Sequence, residues 1–161
     1  TEENLVAAFS KPTLYLDYEA LERAGIERAD AERALAEEVV KLEGFSFALT
    51  RRELLNGKAA DSEPLQAVRN AFHPDRSGDV YAVSEPFWYM GQYPDDNAAT
   101  HGTVHVSDRQ VPLMFAGPGV ESVTVQRRVA PRDVAPTLSA IMGIVAPSGS
   151  VGEVLHEVVP D

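Results

Sequence analysis

The sequence predicts an α/β chain: an α+β layer of short strands and helices, followed by one strand buried on both faces and a closing helix. Three observations carry this expectation. Between residues 13 and 84, segments with apolar side chains at every second position alternate with segments at helical spacing. Residues suited to caps stand where the periodicity changes. After residue 110, a nearly unbroken apolar run precedes a further capped helical segment.

Thr13 to Asp17 reads as a strand opened by Pro12, a residue that suits a strand start. Glu19 to Ala24 forms a short helix that Gly25 ends in a left-handed cap. From Asp30, the positions Ala31, Ala34, Leu35, Val39 and Leu42 follow helical spacing as far as Gly44, with Glu37 and Lys41 as an exposed i,i+4 pair. Phe45, Phe47 and Leu49 alternate as a second strand. Thr50 with Glu53 makes a capping box, and Asn56-Gly57 closes that turn. Ser62 caps a helix through Leu65, Val68 and Phe72, with Pro64 tolerated in its first turn. A polar turn from His73 leads to a third strand, Asp79 to Ser84. Residues 1–85 thus form a small layer, with helices expected on one face of the sheet.

The second region, residues 86–161, opens with a long loop to Ser107 holding Trp88, Tyr89, Tyr93 and Asp95-Asp96-Asn97. A loop of that length inside a compact domain is functional or disordered, and its aromatic content favours function. Val111 to Ala116 has the composition of a strand covered on both faces. Val123 and Val125 suggest another strand. Asp133 is expected to cap a last helix, Val134 to Met142, with Pro136 in its first turn and Gly143 beyond its end.

Composition removes several functions. A net charge of −11 disfavours a nucleic-acid surface, which needs clustered Lys and Arg. An acidic protein can still bind a phosphate ester where metal ions supply the positive charge. Zero cysteines exclude disulfides, thiolate metal sites and a cysteine nucleophile. No run approaches the roughly 18 apolar residues of a membrane span.

His101, beside Gly102 at the entry to the apolar run, is the candidate metal ligand. Asp108 either orients that ring through a hydrogen bond or caps the loop; both roles fit. His105 lies about 13 Å further along an extended chain at about 3.3 Å per residue, too far to share a metal, and is expected to face solvent or substrate. His73 is expected to help end a helix, and His156 to be exposed. Asp95 and Asp96 read as solvated turn formers. Trp88, Tyr89 and Tyr93 read as loop anchors beside a site mouth rather than a base-stacking platform. Gly117-Pro118-Gly119 lacks the Lys and following helix of a phosphate-binding loop.

The order His101-Gly102-Thr103, Asp108, then Val111-Pro112-Leu113-Met114-Phe115-Ala116-Gly117-Pro118-Gly119 resembles the last metal-ligand motif of the alkaline phosphatase superfamily. More narrowly, it resembles the branch that holds the type I phosphodiesterases, the nucleotide pyrophosphatases and their phosphomonoesterase relatives. Asp133-Val134-Ala135-Pro136-Thr137-Leu138 is similar to that family's closing helix, and Arg76-Ser77-Gly78-Asp79-Val80 to a turn and strand ahead of its histidine. The resemblance is detailed from about residue 73 to 155.

It implies the C-terminal part of a zinc-dependent phosphoric ester hydrolase, with Val111–Ala116 and the last helix closing the family's main sheet. Two zinc ions are implied, with His101 matching only the last ligand. The nucleophile, an Asp-x-x-x-His pair and an Asp-His pair have no counterpart here. No catalytic or substrate-binding residue is therefore assigned within the chain, and alone it is expected to be inactive and to hold zinc weakly. The implied partners are the N-terminal part of the same protein and a phosphate-ester substrate. Self-association is expected through an unpaired Val111–Ala116 edge. The family's habits point to a periplasmic or secreted protein. The alternative is a non-catalytic binding or interaction module.

Overall fold

The computed structural model describes residues 4–57, 62–90 and 101–160. They fall into two compact units, Thr1–Gln110 and Val111–Asp161. The predicted division near residue 85 follows sequence character. By packing, the His101 segment belongs with the first unit.

The first unit is built on a four-stranded antiparallel sheet with the order β1-β2-β4-β3, from β1 (Val6–Ser10), β2 (Thr13–Leu16), β3 (Phe45–Thr50) and β4 (Val80–Ser84). Three of these strands were legible. β1 was not, because most of it is exposed and shows no buried face. Every residue of β4 is buried, which fits its central place.

Helices cover both faces of this sheet rather than one. Pairing of Thr13 with Tyr81 and of Leu49 with Tyr81 puts Tyr81, Val83, Phe47 and Leu49 on one side. There they pack with Leu54 of α3 (Arg51–Leu55), with Leu65 and Val68 of α4 (Glu63–Ala71), and with Val104. Leu16 lies on the opposite face, with Leu21 of α1 (Tyr18–Ala24) and Ala31 and Leu35 of α2 (Arg28–Val39). The sheet needs two covers because β4 carries apolar residues at successive positions.

The caps follow the sequence closely. Gly25 ends α1 in the left-handed region, Thr50 and Glu53 form a reciprocal box, and Ser62 accepts from Leu65 N–H. The predicted Glu37–Lys41 pair does not form. α2 ends at Val39, so Lys41 swings off the helix to Glu38 at 2.6 Å.

One buried carboxylate organises the start of β4. Asp79, 2% exposed, accepts from Leu16 N–H at 2.8 Å, from the Tyr18 hydroxyl and from Arg28 at 3.1 Å. The Arg28 guanidinium stacks on the Tyr18 ring, 3.6 Å from its centroid, and reaches Glu32 at 3.8 Å. This cluster ties β2, α1 and α2 to one end of β4. Its other end carries the candidate site.

The second unit contains a 3-10 turn (Pro131–Asp133), α6 (Val134–Ile141) and a closing 3-10 turn (His156–Val158). Asp133 stands at the N-cap of α6 as expected, but its side chain binds no amide of that helix. The Asp133 carboxylate instead accepts from Ala130 N–H at 2.8 Å and Glu153 N–H at 3.0 Å, stapling the tail to the helix. Thr137, fully buried, donates to the Asp133 carbonyl and accepts from Leu155 N–H. Two bonds from Arg127, at 2.6 and 2.9 Å, push the Glu157 carboxyl down to about 2.

Val111–Ala116 does not form a strand, nor do Val123 and Val125. Val111 is 61% exposed and Met114 83%. A strand buried on both faces exists only between neighbours, and none of the described strands pairs with this run. No helix among the described residues is long and apolar enough to cross a membrane.

Candidate functional site

The His101 segment is tied to the C-terminal end of β4. The next strand, β2, stops short of that end, and the Pro12 carbonyl accepts the Ala82 N–H at 2.9 Å. Beyond this, the Ser84 carbonyl lies 2.7 Å from His105 Nε2. A carbonyl only accepts, so Nε2 carries the proton and the imidazole is a tether. The expectation that His105 faces solvent or substrate is corrected: it finishes the backbone pairing of β4 and opens a short helix, α5 (Val106–Arg109), that the sequence pattern did not announce.

Asp108, on α5, does the capping. Its Oδ2 accepts the Thr103 N–H at 2.9 Å. That bond, with support from the Thr103 hydroxyl, the Gly102 N–H and the charge of His101, holds its carboxyl below the usual aspartate range. Of the two roles open to Asp108, the hydrogen bonds favour the loop cap. Gly102 sits at φ 113°, a conformation that glycine adopts readily, which turns the chain between His101 and the cap.

His101 is exposed and stands on the wall of a cavity of about 210 Å³. Lys11, Pro12, the β4 residues Tyr81 to Ser84, Tyr89 and Met90 line the rest, with Gly102, Thr103 and Val104 beside His101. Tyr81 is buried, which pushes its phenol pKa up and keeps it a proton donor. Trp88 lies directly over Gly44, so close that no Cβ would fit there. It anchors the chain as expected. Tyr89 is instead part of the cavity, with the Lys11 ammonium 5.0 Å from its ring centroid. Tyr93, Asp95, Asp96 and Asn97 lie outside the described residues.

The other histidines are accounted for by packing. His73 Nδ1 accepts from Asp75 N–H, and its backbone binds Ser77, which builds the turn after α4. His156 is exposed. Among the described residues, no three His, Asp or Glu side chains converge as a metal site would require. Sequence reasoning missed Lys11, Tyr81 and Ser84 as cavity residues; they meet only because β2 ends where β4 continues.

No family model matches the chain. It is 29% identical over 97% of its length to a calcium-transporting ATPase of Myroides odoratus, and 28% identical over 98% to the alkaline phosphatase PafA of Elizabethkingia meningoseptica. In each case it spans 28% of the relative. A shorter stretch, 56% of the chain, is 33% identical to the alkaline phosphatase PhoV of Synechococcus elongatus and spans 16% of it. A crystal structure of PafA superposes on 98% of the chain with a TM-score of 0.84 and 28% identity, using 30% of that protein. The chain therefore spans under a third of the length of these relatives. Agreement of sequence and fold over nearly its whole length supports one conclusion: the chain is similar to the proteins of the alkaline phosphatase superfamily.

Proposed function

We propose that this chain is the C-terminal portion of a metal-dependent phosphate-ester hydrolase and supplies its last zinc-ligand histidine, His101. The observation that carries the reading is His101 itself: exposed, on a cavity wall, on a loop held by Asp108. A ring that must reach a metal needs that accessibility, whereas the His105 ring is bonded to the Ser84 carbonyl.

The described residues do not fit a complete zinc site, since a catalytic zinc usually takes three protein ligands and only His101 is offered. On this proposal the other ligands and the nucleophile come from the N-terminal part of a longer protein. This chain alone is then inactive. The run Val111–Ala116 finds its neighbours in that larger sheet, and in isolation it drives self-association. The Val111-Pro112 opening and the His101-Gly102-Thr103 motif support the phosphodiesterase and nucleotide pyrophosphatase branch. The family relationship supports an exported protein.

The test is His101→Ala in the longer protein. Zinc content should fall by about half, and hydrolysis of phosphate mono- and diesters by at least ~100-fold, with an unchanged circular dichroism spectrum. Full zinc loading with a normal rate would remove His101 from the site. A longer protein without ester hydrolysis at any divalent metal would favour an interaction module.

A further inference from the structure

The turn that follows β4 holds a residue its backbone does not favour. The Trp88 N–H donates to the Glu85 carbonyl at 3.2 Å, closing a four-residue turn with Pro86 second and Phe87 third. Among the described non-glycine residues, only Phe87 has a positive φ, 67°. Proline second and a positive φ third is the type II pattern, whose third place normally takes Gly or Asn. A β-carbon is strained there, because it crowds the following carbonyl. The ring regains nothing inside the described residues: Phe87 is 95% exposed. Scattered exposed apolar residues are ordinary, but a strained one calls for a function. Glycine would make the same turn without strain, so the turn alone does not account for phenylalanine. The turn is also held firmly on both sides. Glu85 N–H donates to the Gly44 carbonyl at 2.8 Å, and the Trp88 indole packs on the same glycine. A ring presented in this way loses little freedom on being buried.

We propose that Phe87 is a docking knob whose ring fills an apolar pocket on the N-terminal part of the same longer protein. The partner follows from position. The turn leaves the end of β4 that carries the His105 tether, and Tyr89 and Met90, just beyond it, line the cavity with His101. The inference rests on the reading of His101 as a zinc ligand, which brings the remaining ligands, and the protein that carries them, to that wall. There is ample protein to do so, since the chain spans 28% of each of the two relatives it matches over nearly its whole length. A rigid aromatic anchor in a desolvated pocket is the chemistry of the strongest contact points between protein surfaces.

The experiment is Phe87→Gly in the longer protein, where strain and docking predict opposite signs. Relief of the turn raises stability, and loss of a buried ring lowers it by more. The melting temperature should fall by about 3 °C. Phe87→Ala, which loses the ring and keeps the strain, should fall further. An unchanged or raised melting temperature for Phe87→Gly overturns the proposal. A second measurement identifies the partner. With Phe87 replaced by para-benzoylphenylalanine, photo-crosslinking and mass spectrometry should place the adduct within one molecule, on residues N-terminal to this chain. An adduct on a second copy, an adduct on residues 91–100, or none would each overturn it. Zinc content, read on the same sample, separates the two ideas. Zinc bound through His101 with the adduct elsewhere sinks the docking alone; the expected adduct without zinc sinks the hydrolase reading alone.

Discussion

Replacing Asp79 with alanine removes the acceptor of three groups at once: Leu16 N–H, the Tyr18 hydroxyl and the Arg28 guanidinium. Breaking a fully buried ion pair costs about 3–5 kcal/mol. Here Arg28 is 47% exposed and Tyr18 42%, so both can turn to water. The Leu16 amide is the group left without an escape, and an unpaired buried donor costs about 1–3 kcal/mol. With the small cavity left by the side chain, the expected loss is about 3 kcal/mol. At a urea slope of about 2 kcal/mol per molar, the midpoint of unfolding by circular dichroism should fall by about 1.5 M. Asp79→Asn keeps a carbonyl for Leu16 and should lose about half as much. A fall below about 1 kcal/mol for alanine would refute the reasoning, because desolvation of the carboxylate would then have cancelled its bonds. The consequence extends to the site, since the other end of β4 carries Ser84 and the His105 tether.

Two further outcomes follow from the charged groups. The Asp108 carboxyl is held low by the Thr103 and Gly102 amides, so its contribution is present above the usual aspartate range and is lost as pH falls through its depressed folded value. Asp108→Ala should therefore speed amide exchange at Thr103 at neutral pH, and a rate equal to the parent's would show that the loop is held by something else. Glu32 is shifted the opposite way: burial raises its pKa, partly countered by the Arg52 amide. The folded state then binds its proton more readily than the unfolded one, so its ionisation costs stability as pH rises past the usual glutamate range. Glu32→Gln should be at least as stable as the parent by urea unfolding at neutral pH and lose that advantage in acid; a clear loss at neutral pH would show that the Arg28 contact dominates.

Much of the first unit was readable because each signal is local. Gly25 donates to carbonyls, and Thr50 with Glu53 and Ser62 serve amides, all within three or four residues, while Phe47 and Leu49 meet the core that their spacing announces. β1 was hidden because an exposed edge strand has no apolar alternation to show. Val111–Ala116 forms no strand in this chain for a related reason. An apolar run reports that cover is needed, and carries no information about which part of a protein supplies it. His101 could be picked out by its motif. The cavity around it could not, because Lys11, Ser84 and Thr103 converge through the register of β2 on β4 and through the His105 tether, which no spacing encodes. Asp79 looked like an ordinary residue at a strand start until its partners from β2, α1 and α2 came together.

The indole of Trp88, seated on Gly44, is the chain's single tryptophan. It is 43% exposed and adjoins Tyr89 and Met90 on the cavity wall. Its emission therefore originates one residue from the place where a ligand would displace water. The molecule carries its own optical gauge at that wall, free of label or competing fluorophore of its kind, and the flat seat at position 44 keeps the gauge in register.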